Sequence, residues 1–144
     1  QQINPANSII IRTSWVYSKY GNNFVKTMLR LSETTKALSV VADQIGAPTS
    51  ASDLAQTILT VLPQIENLSP EIYQYCNEGI CSWYDFAKAI FELHDIAIEL
   101  TPIESKAYPT VAQRPLYSVL NNTKIKDIFQ IKIPYWKDQL HNLS

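Results

Sequence analysis

A short β-branched run followed by a polar, aromatic loop constrains the fold of this chain more than any other feature. The run is Ser8-Ile9-Ile10-Ile11, and its composition predicts a strand that is buried on both faces and continues to Tyr17. Beyond the loop, apolar residues at helical spacing predict a helix that begins at Asn22 or Asn23 and ends near Glu33. A strand, a loop and a helix in this order indicate an open α/β sheet.

The loop carries side chains that suit a ligand. Thr13, Ser14 and Trp15 follow the strand directly, and Asn22 and Asn23 open the helix. In open α/β sheets, ligands lie outside the carboxyl ends of the strands. An indole can stack on a flat ligand, and amides can bond sugar hydroxyls or phosphate. From this chemistry alone, an ordinary strand–helix connection is the simpler interpretation.

The alternation of strand and helix continues along the chain. Leu38–Val41 is predicted as a strand, and Asp43–Thr49 as a shaped turn in which Asp43 bonds backbone amides. Ser50 or Ser52 is predicted to cap the next helix, which ends before Pro63. The apolar face predicted for this helix is Leu54, Ala55, Ile58, Leu59 and Leu62.

The second half of the chain repeats this pattern with shorter elements. Ile72–Cys76 is predicted as a strand, and Ser82 with Asp85 resembles a capping box that opens a helix. His94 is expected at the edge of the core on that helix, and Leu116–Leu120 is predicted as a short strand. The order of elements predicts an α/β fold in which strands alternate with helices.

Composition excludes several classes of function. The chain has 144 residues, with 12 basic and 13 acidic side chains and no basic block, so no nucleic-acid partner is expected. No apolar run approaches the length that spans a membrane. Cys76 and Cys81 have no zinc-site spacing, so no metal site is expected, and the thiols are interpreted as packed side chains in a reduced cytoplasm.

The chain lacks two features, an initiating Met and a glycine cluster that could bind a nucleotide. The chain begins with Gln1 rather than Met, which we interpret as a processed chain or part of a longer one. Its three glycines are Gly21, Gly46 and Gly79, and they are too scattered for a dinucleotide fingerprint or a P-loop.

Tyr84 and Lys88 have the Tyr-x-x-x-Lys spacing of short-chain dehydrogenases. On a helix this spacing places a phenol and an ammonium on one face, where the cation can lower the pKa of the phenol. The pair also needs an adjacent cofactor and a hydroxyl partner, and no cofactor loop precedes it. We therefore interpret Tyr84 as structural and Lys88 as solvated.

Five ordered blocks resemble one family. They are Arg12–Tyr17 (RTSWVY), Gly21–Met28 (GNNFVKTM), Asp43–Thr49 (DQIGAPT), Ser82–Ala87 (SWYDFA) and Arg114–Leu120 (RPLYSVL). Together they resemble the carboxyl-terminal half of dTDP-4-dehydrorhamnose reductase, an extended short-chain dehydrogenase/reductase. The resemblance implies that residues 1–144 form one substrate-binding domain from the carboxyl-terminal part of a Rossmann-like NAD(P)-binding fold, and that the amino-terminal cofactor-binding part is absent. Asn121 stands where the family commonly has Asp.

The resemblance also implies an activity for the parent protein. The family uses NADPH, or sometimes NADH, to reduce dTDP-6-deoxy-L-lyxo-4-hexulose to dTDP-L-rhamnose for cell-surface polysaccharide. Its cofactor loop and catalytic Tyr-x-x-x-Lys pair lie upstream of the Trp15 segment, so no catalytic residue is expected here and the chain alone is expected to be inactive. Some members use Mg²⁺ at a dimer contact, so the resemblance allows a homodimer.

By resemblance, the loop around Trp15 faces the sugar ring, which implies that this indole is partly exposed. The segment from Gln44 to Thr49 and the region of Arg114 are expected to form walls of the dTDP-sugar pocket. The substrate-binding residues expected on this basis are Thr13, Ser14, Trp15, Asn22, Asn23, Phe24, Gln44, Gly46, Pro48 and Arg114.

Two other functions are compatible with the same fold. The regulatory subunit of methionine adenosyltransferase resembles this family and serves as a binding partner, so the parent is alternatively an interaction protein. A second alternative is an epimerase or dehydratase that acts on another sugar nucleotide. The blocks Asp43–Thr49 and Ser82–Ala87 favour the reductase over the regulatory subunit. An epimerase or dehydratase is not expected to share all five blocks.

Overall fold

The computed structural model describes residues 6–143, without the side chain of Leu143, and shows the predicted alternation of strands and helices. The turn expected at Asn4-Pro5 lies outside the described residues. In chain order the elements are β1 (Ile9–Arg12), β2 (Val16–Tyr17), α1 (Phe24–Ser32), β3 (Ala37–Val41), β4 (Ile45–Gly46), β5 (Thr49–Ser50), α2 (Ala51–Val61), β6 (Glu71–Gln74), β7 (Cys81–Ser82), α3 (Trp83–Leu93), β8 (Glu99–Ile103), α4 (Thr123–Phe129) and α5 (Trp136–Leu140). The predicted α/β class is confirmed.

The strands of the described part pair two by two. Pairs β1–β6, β2–β5 and β3–β8 are parallel, whereas β4–β7 is antiparallel. The parallel pairs have long connections between their strands, as parallel geometry requires. Because β2 pairs with β5, the loop after β1 is held beside the segment that precedes α2.

The first strand differs from its prediction in length and in burial. It ends at Arg12, and Val16–Tyr17 pairs with a different strand, because Trp15 takes a left-handed backbone conformation that interrupts the extended run. Ile10 is 39% exposed, so the strand is not buried on both faces. Ile9 and Ile11 pack on a core, whereas no described residue buries Ile10 on the opposite face.

The predicted helix starts are confirmed by their caps. The Asn23 side chain accepts a hydrogen bond from the Lys26 amide at the start of α1. Ser50 caps α2 in the same way, through the Asp53 amide. Ser82 and Asp85 form the full capping box at the start of α3. These side chains satisfy amide groups that have no partner within the helix.

The predicted apolar face of α2 is wrong for four of its five residues: Leu54 packs on a core, whereas the other four are exposed. The helix buries Thr57 and Val61, while Leu59 is 65% exposed and Ile58 is exposed as well. Thr57 therefore lies on the packed face of the helix although its side chain is polar. The apolar residues of α2 cover two faces, so their spacing alone does not select the one that packs.

Two cores support the fold. The larger one lies between α1, α3, β3 and α5, and it contains Val25, Met28, Phe86, Ile90 and Trp136. The smaller one joins α2, β6 and α4 through residues that include Val61, Tyr73, Ile125 and Phe129. The first core positions the starts of α1 and α3 beside each other.

Two smaller predictions in the second half are also wrong. Leu116–Leu120 forms no strand, and Tyr117 makes only an isolated bridge with Ile45. His94 is exposed, because α3 ends there and turns it away from the core. No helix among the described residues is long and apolar enough to cross a membrane.

Candidate functional site

A cavity of about 290 Å³ lies where three of the five sequence blocks meet the region of Arg114. Ser14 and Trp15 come from the loop after β1, Gln44 precedes β4, and Trp83 is the first residue of α3. We call this the Trp15 cavity. Its lining is completed by Arg114, Pro115 and Ser118. An indole pair, an amide, hydroxyls and a guanidinium therefore face one space.

A second cavity of about 490 Å³ adjoins the first and is mainly apolar. We call it the Phe24 cavity. Phe24 and Met28 of α1 and Leu38 of β3 form much of its wall. Gln44, Trp83 and Arg114 line both cavities, and this shared boundary places Arg114 between the Trp15 cavity, with its several polar side chains, and the mainly apolar Phe24 cavity.

The backbone of Trp15 is held in an uncommon conformation. Its φ is 48°, in the left-handed region that bulky side chains rarely adopt. Its carbonyl accepts a hydrogen bond from the Thr49 amide at 3.1 Å, and the Ser14 hydroxyl donates to the Ala47 carbonyl at 3.1 Å. The indole packs directly on Gly46, where a Cβ atom would lie 2.5 Å from Trp15 Cε2. The indole is partly exposed.

Residues 106–115, which we call the strap, bring Arg114 to the boundary of the cavities. At one end, the Asp43 carboxylate accepts hydrogen bonds from the Ser105 amide at 2.9 and 3.0 Å and from its hydroxyl at 2.9 Å. At the other end, the Ile45 amide donates to the Leu116 carbonyl, and the Ser118 amide donates to the Ile45 carbonyl. The hydrogen bond from the Ser105 amide is the main reason that the pKa of Asp43 lies below its ordinary value.

Comparison with known proteins identifies the family. The family model described as the RmlD substrate binding domain matches residues 2–144. The chain belongs to the RmlD substrate binding domain family. It is 44% identical to a dTDP-4-dehydrorhamnose reductase of Aggregatibacter actinomycetemcomitans, over 94% of this chain and 49% of that protein.

Solved structures of the RmlD family have the same fold. A dTDP-4-dehydrorhamnose reductase of Clostridium acetobutylicum matches with a TM-score of 0.85 and 41% identity, over 94% of this chain and 47% of that one. One from Bacillus anthracis, in complex with NADP, matches with a TM-score of 0.84 and 38% identity, over 94% and 46%. The chain thus spans about half the length of these relatives, and its fold is that part of an extended, Rossmann-like reductase.

The structure brings half of the ten predicted site residues of this RmlD domain into the two cavities. These are Ser14, Trp15, Phe24, Gln44 and Arg114. They come from three separate parts of the chain, and the fold brings them together around the boundary between the two cavities.

The other five predicted site residues lie nearby but line neither cavity. Thr13 contacts the Thr49 hydroxyl at 3.4 Å, and Asn22 is exposed. Asn23 caps α1 and also donates to the Ser18 carbonyl at 2.7 Å. Gly46 supports the indole of Trp15, and Pro48 is fully buried. Contact of these residues with a substrate stays a prediction.

Trp83 is the main site residue that sequence reasoning missed. It lies in the block Ser82–Ala87, whose capping box and Tyr84 have their own sequence signals. An aromatic side chain at the first position of a capped helix was the available signal. Its stacking on Trp15, with ring centroids 3.6 Å apart, depends on tertiary structure. Met28 and Leu38 also line the Phe24 cavity, although the sequence predicts them only as parts of a helix and a strand.

Tyr84 and Lys88 contact other residues of the fold rather than either cavity. Tyr84 is partly buried against the larger core, and Lys88 lies 3.9 Å from Glu92 on the next turn of α3. Neither residue lines the Trp15 cavity or the Phe24 cavity. This geometry agrees with the structural interpretation of the pair.

Residues 6–143 do not form a dinucleotide-binding loop. A side chain already covers two of the chain's three glycines, since Trp15 lies on Gly46 and Tyr135 lies on Gly79. Gly21 is open but stands alone. Among residues 6–143, no group of three or more His, Cys, Asp and Glu side chains is arranged to hold a metal ion.

Proposed function

We propose that this chain is the substrate-binding half of a dTDP-4-dehydrorhamnose reductase and holds a dTDP-sugar across the Trp15 and Phe24 cavities. The observation that carries this proposal is the convergence of Ser14, Trp15, Gln44 and Arg114 on one cavity. Two relatives that are more than 40% identical to this chain are dTDP-4-dehydrorhamnose reductases, which supports the reductase over an interaction protein. In the parent protein, NADPH or NADH would supply the hydride for reduction of the 4-keto sugar.

The chemistry of the cavities suits the parts of such a ligand. An aromatic face of Trp15 can pack on a sugar ring, and the amide of Gln44 can both donate to and accept from sugar hydroxyls. Arg114 lies between the cavities, where a guanidinium can bind a diphosphate through two parallel hydrogen bonds. The flat face and the methyl group of thymine then suit the apolar wall beside Phe24 in the larger cavity.

The exposed face of the β1–β6 pair supports the proposed domain organisation. Ile10 and Ile72 are opposite each other in the register and are 39% and 43% exposed. Adjacent β-branched side chains on a parallel pair normally pack beneath a covering layer. We assign that covering role to the cofactor-binding half of the parent reductase.

Calorimetry with dTDP-L-rhamnose tests the proposed site, on the chain and on the full-length protein. Arg114→Gln is expected to weaken binding about tenfold to a hundredfold, because a charge-assisted hydrogen bond contributes about 1.5–3 kcal/mol. Arg30→Gln is the matched control, since Arg30 is exposed on α1 and lines neither cavity. Equal affinities of the two variants, or no binding by either wild-type protein, would contradict the proposal.

Trp15→Ala tests the sugar-facing role of the indole. In the full-length protein we expect a strong loss of kcat/KM with a small change in Tm. A partly exposed side chain that contacts the ligand stabilises the transition state of the reaction more than it stabilises the fold. A large fall in Tm with near-normal kinetics would make Trp15 a core residue.

The chain alone is expected to oxidise no NADPH with dTDP-4-dehydrorhamnose. Turnover by the chain alone would restore Tyr84 and Lys88 as candidate catalytic residues.

A further inference from the structure

A column of three aromatic side chains separates the two cavities. The rings of Trp15 and Trp83 are stacked, with centroids 3.6 Å apart and planes inclined by 12°. Trp83 also contacts Phe24, with centroids 4.7 Å apart. Trp15 lines one cavity, Phe24 lines the other, and Trp83 lines both. Trp83 is therefore the aromatic part of the wall that the two cavities share.

The hydrogen bonds at Trp15 fix its backbone but not its ring. They involve the Trp15 carbonyl and the neighbouring Ser14 hydroxyl. A left-handed conformation at a bulky residue persists only where its surroundings determine it. Gly46 contacts the indole on one side. A second contact with a rigidly held group is needed to fix the orientation of the ring.

Trp83 is attached to a rigid part of the fold. It directly follows Ser82, whose hydroxyl accepts a hydrogen bond from the Asp85 amide at 3.0 Å, while the Asp85 carboxylate accepts one from the Ser82 amide at 2.9 Å. Phe24, which supports the other side of Trp83, is the first residue of α1 and follows its cap, Asn23. Two capped helix starts therefore hold Trp83 in place.

We propose that Trp83 is a positioning residue that holds the indole of Trp15 against Gly46 and so fixes the face that Trp15 presents to the sugar. Its link to the sugar rests on the proposed function. Its action on Trp15 rests only on the stacking geometry. A residue that served only the core would change stability without changing the freedom of Trp15.

NMR of the indole N–H groups tests the action on Trp15 without a ligand. The chain has three tryptophans, so Trp15 and Trp136 give separate signals. In the full-length protein, we expect the Trp15 indole to become mobile in Trp83→Leu and to show intermediate mobility in Trp83→Phe, which keeps a ring. Tyr84→Leu is the matched control, because Tyr84 is the next residue of α3 and lines neither cavity. The Trp136 signal should stay unchanged in all of them.

Titration with dTDP-L-rhamnose then tests the consequence for binding. Freeing one side chain at a binding site typically weakens binding several-fold to about tenfold, and we expect this for Trp83→Leu, with a smaller loss for Trp83→Phe. Tyr84→Leu should bind like the wild type. Unchanged mobility of Trp15 in the folded Trp83 variants would overturn the inference, and Trp83→Phe alone decides the matter where Trp83→Leu does not fold. If the wild type fails to bind, the proposed function fails, while the mobility of Trp15 still decides the role of Trp83.

Discussion

Gly46 is the residue at which one added carbon has the most direct effect on the site. A Cβ atom there would lie 2.5–2.9 Å from three atoms of the Trp15 indole. Such distances are far inside van der Waals contact, so the indole must move. Glycine at this position is explained by close approach of a side chain to the backbone rather than by an unusual φ.

Gly46→Ala is therefore expected to displace Trp15 and weaken binding of dTDP-L-rhamnose. Because the ring is partly exposed and can move outward, the loss of stability should stay near the lower end of the roughly 1–3 kcal/mol that overpacking usually costs. Gly21→Ala is the control, because its φ of 63° adds backbone strain while its Cβ atom meets nothing within 4 Å. Calorimetry and urea denaturation separate the two effects. Normal binding by Gly46→Ala would mean that the position of Trp15 does not matter for the ligand.

Among the elements, the strap is held in place by hydrogen bonds at its two ends to residues that lie outside it. Its cavity-lining side chains include Tyr108, Thr110 and Arg114, and all three are exposed. Both ends are tied to the short stretch that leads from β3 into β4, by Asp43 before β4 at one end and by Ile45 at the start of β4 at the other. Loosening either anchor frees the guanidinium that the proposed function places on the diphosphate.

Asp43→Asn is expected to loosen the first anchor. Removing the charge weakens the hydrogen bonds from Ser105, so amide protection at Ser105 and across the strap should fall several-fold. Hydrogen exchange measures this, with Asp127→Asn on the exposed side of α4 as the control. Equal protection in the two variants would show that the strap is held by other contacts.

The same anchor has a defined pH dependence. The pKa of Asp43 is lowered in the folded state, chiefly by the Ser105 amide. The anchor is therefore fully present above the unfolded value, about 3.9, and is lost as the pH falls through the lower folded value. Protection factors at Ser105 should be constant near neutral pH and decline only in strong acid.

For the whole molecule, burial of ionisable groups predicts lower stability at alkaline pH. Burial raises the pKa of the Cys81 thiol to about 12, with a further contribution from Asp85. Burial also raises the pKa of Cys76. Unfolded thiols ionise near pH 8.5, so the unfolded state binds fewer protons above that pH and becomes favoured.

Cys81→Ala should flatten this decline. Between about pH 8.5 and 10, the wild type is expected to lose up to roughly 1.4 kcal/mol of unfolding free energy per pH unit through this one thiol. Urea denaturation across this range measures the slope, and Cys76→Ala provides a second, independent thiol for comparison. A slope that is unchanged in both variants would show that the thiols ionise normally in the folded chain.

The sequence by itself determined the order of the elements and the starts of the main helices. Caps such as Asn23, Ser50 and the Ser82–Asp85 box act within three residues, so they are visible in the linear chain. The ordered blocks also identified the family and five of the residues that line the cavities.

Only the tertiary structure decided which of those residues meet and which apolar faces pack. Asp43 bonds a residue 62 positions away, and Ser118 bonds one 73 positions away, so no local pattern reveals either anchor. The buried face of α2 includes the polar Thr57, which apolar periodicity does not predict. The stacking of Trp83 on Trp15 was decided in the same way, because packing joins side chains by their proximity in space rather than by their order in the chain.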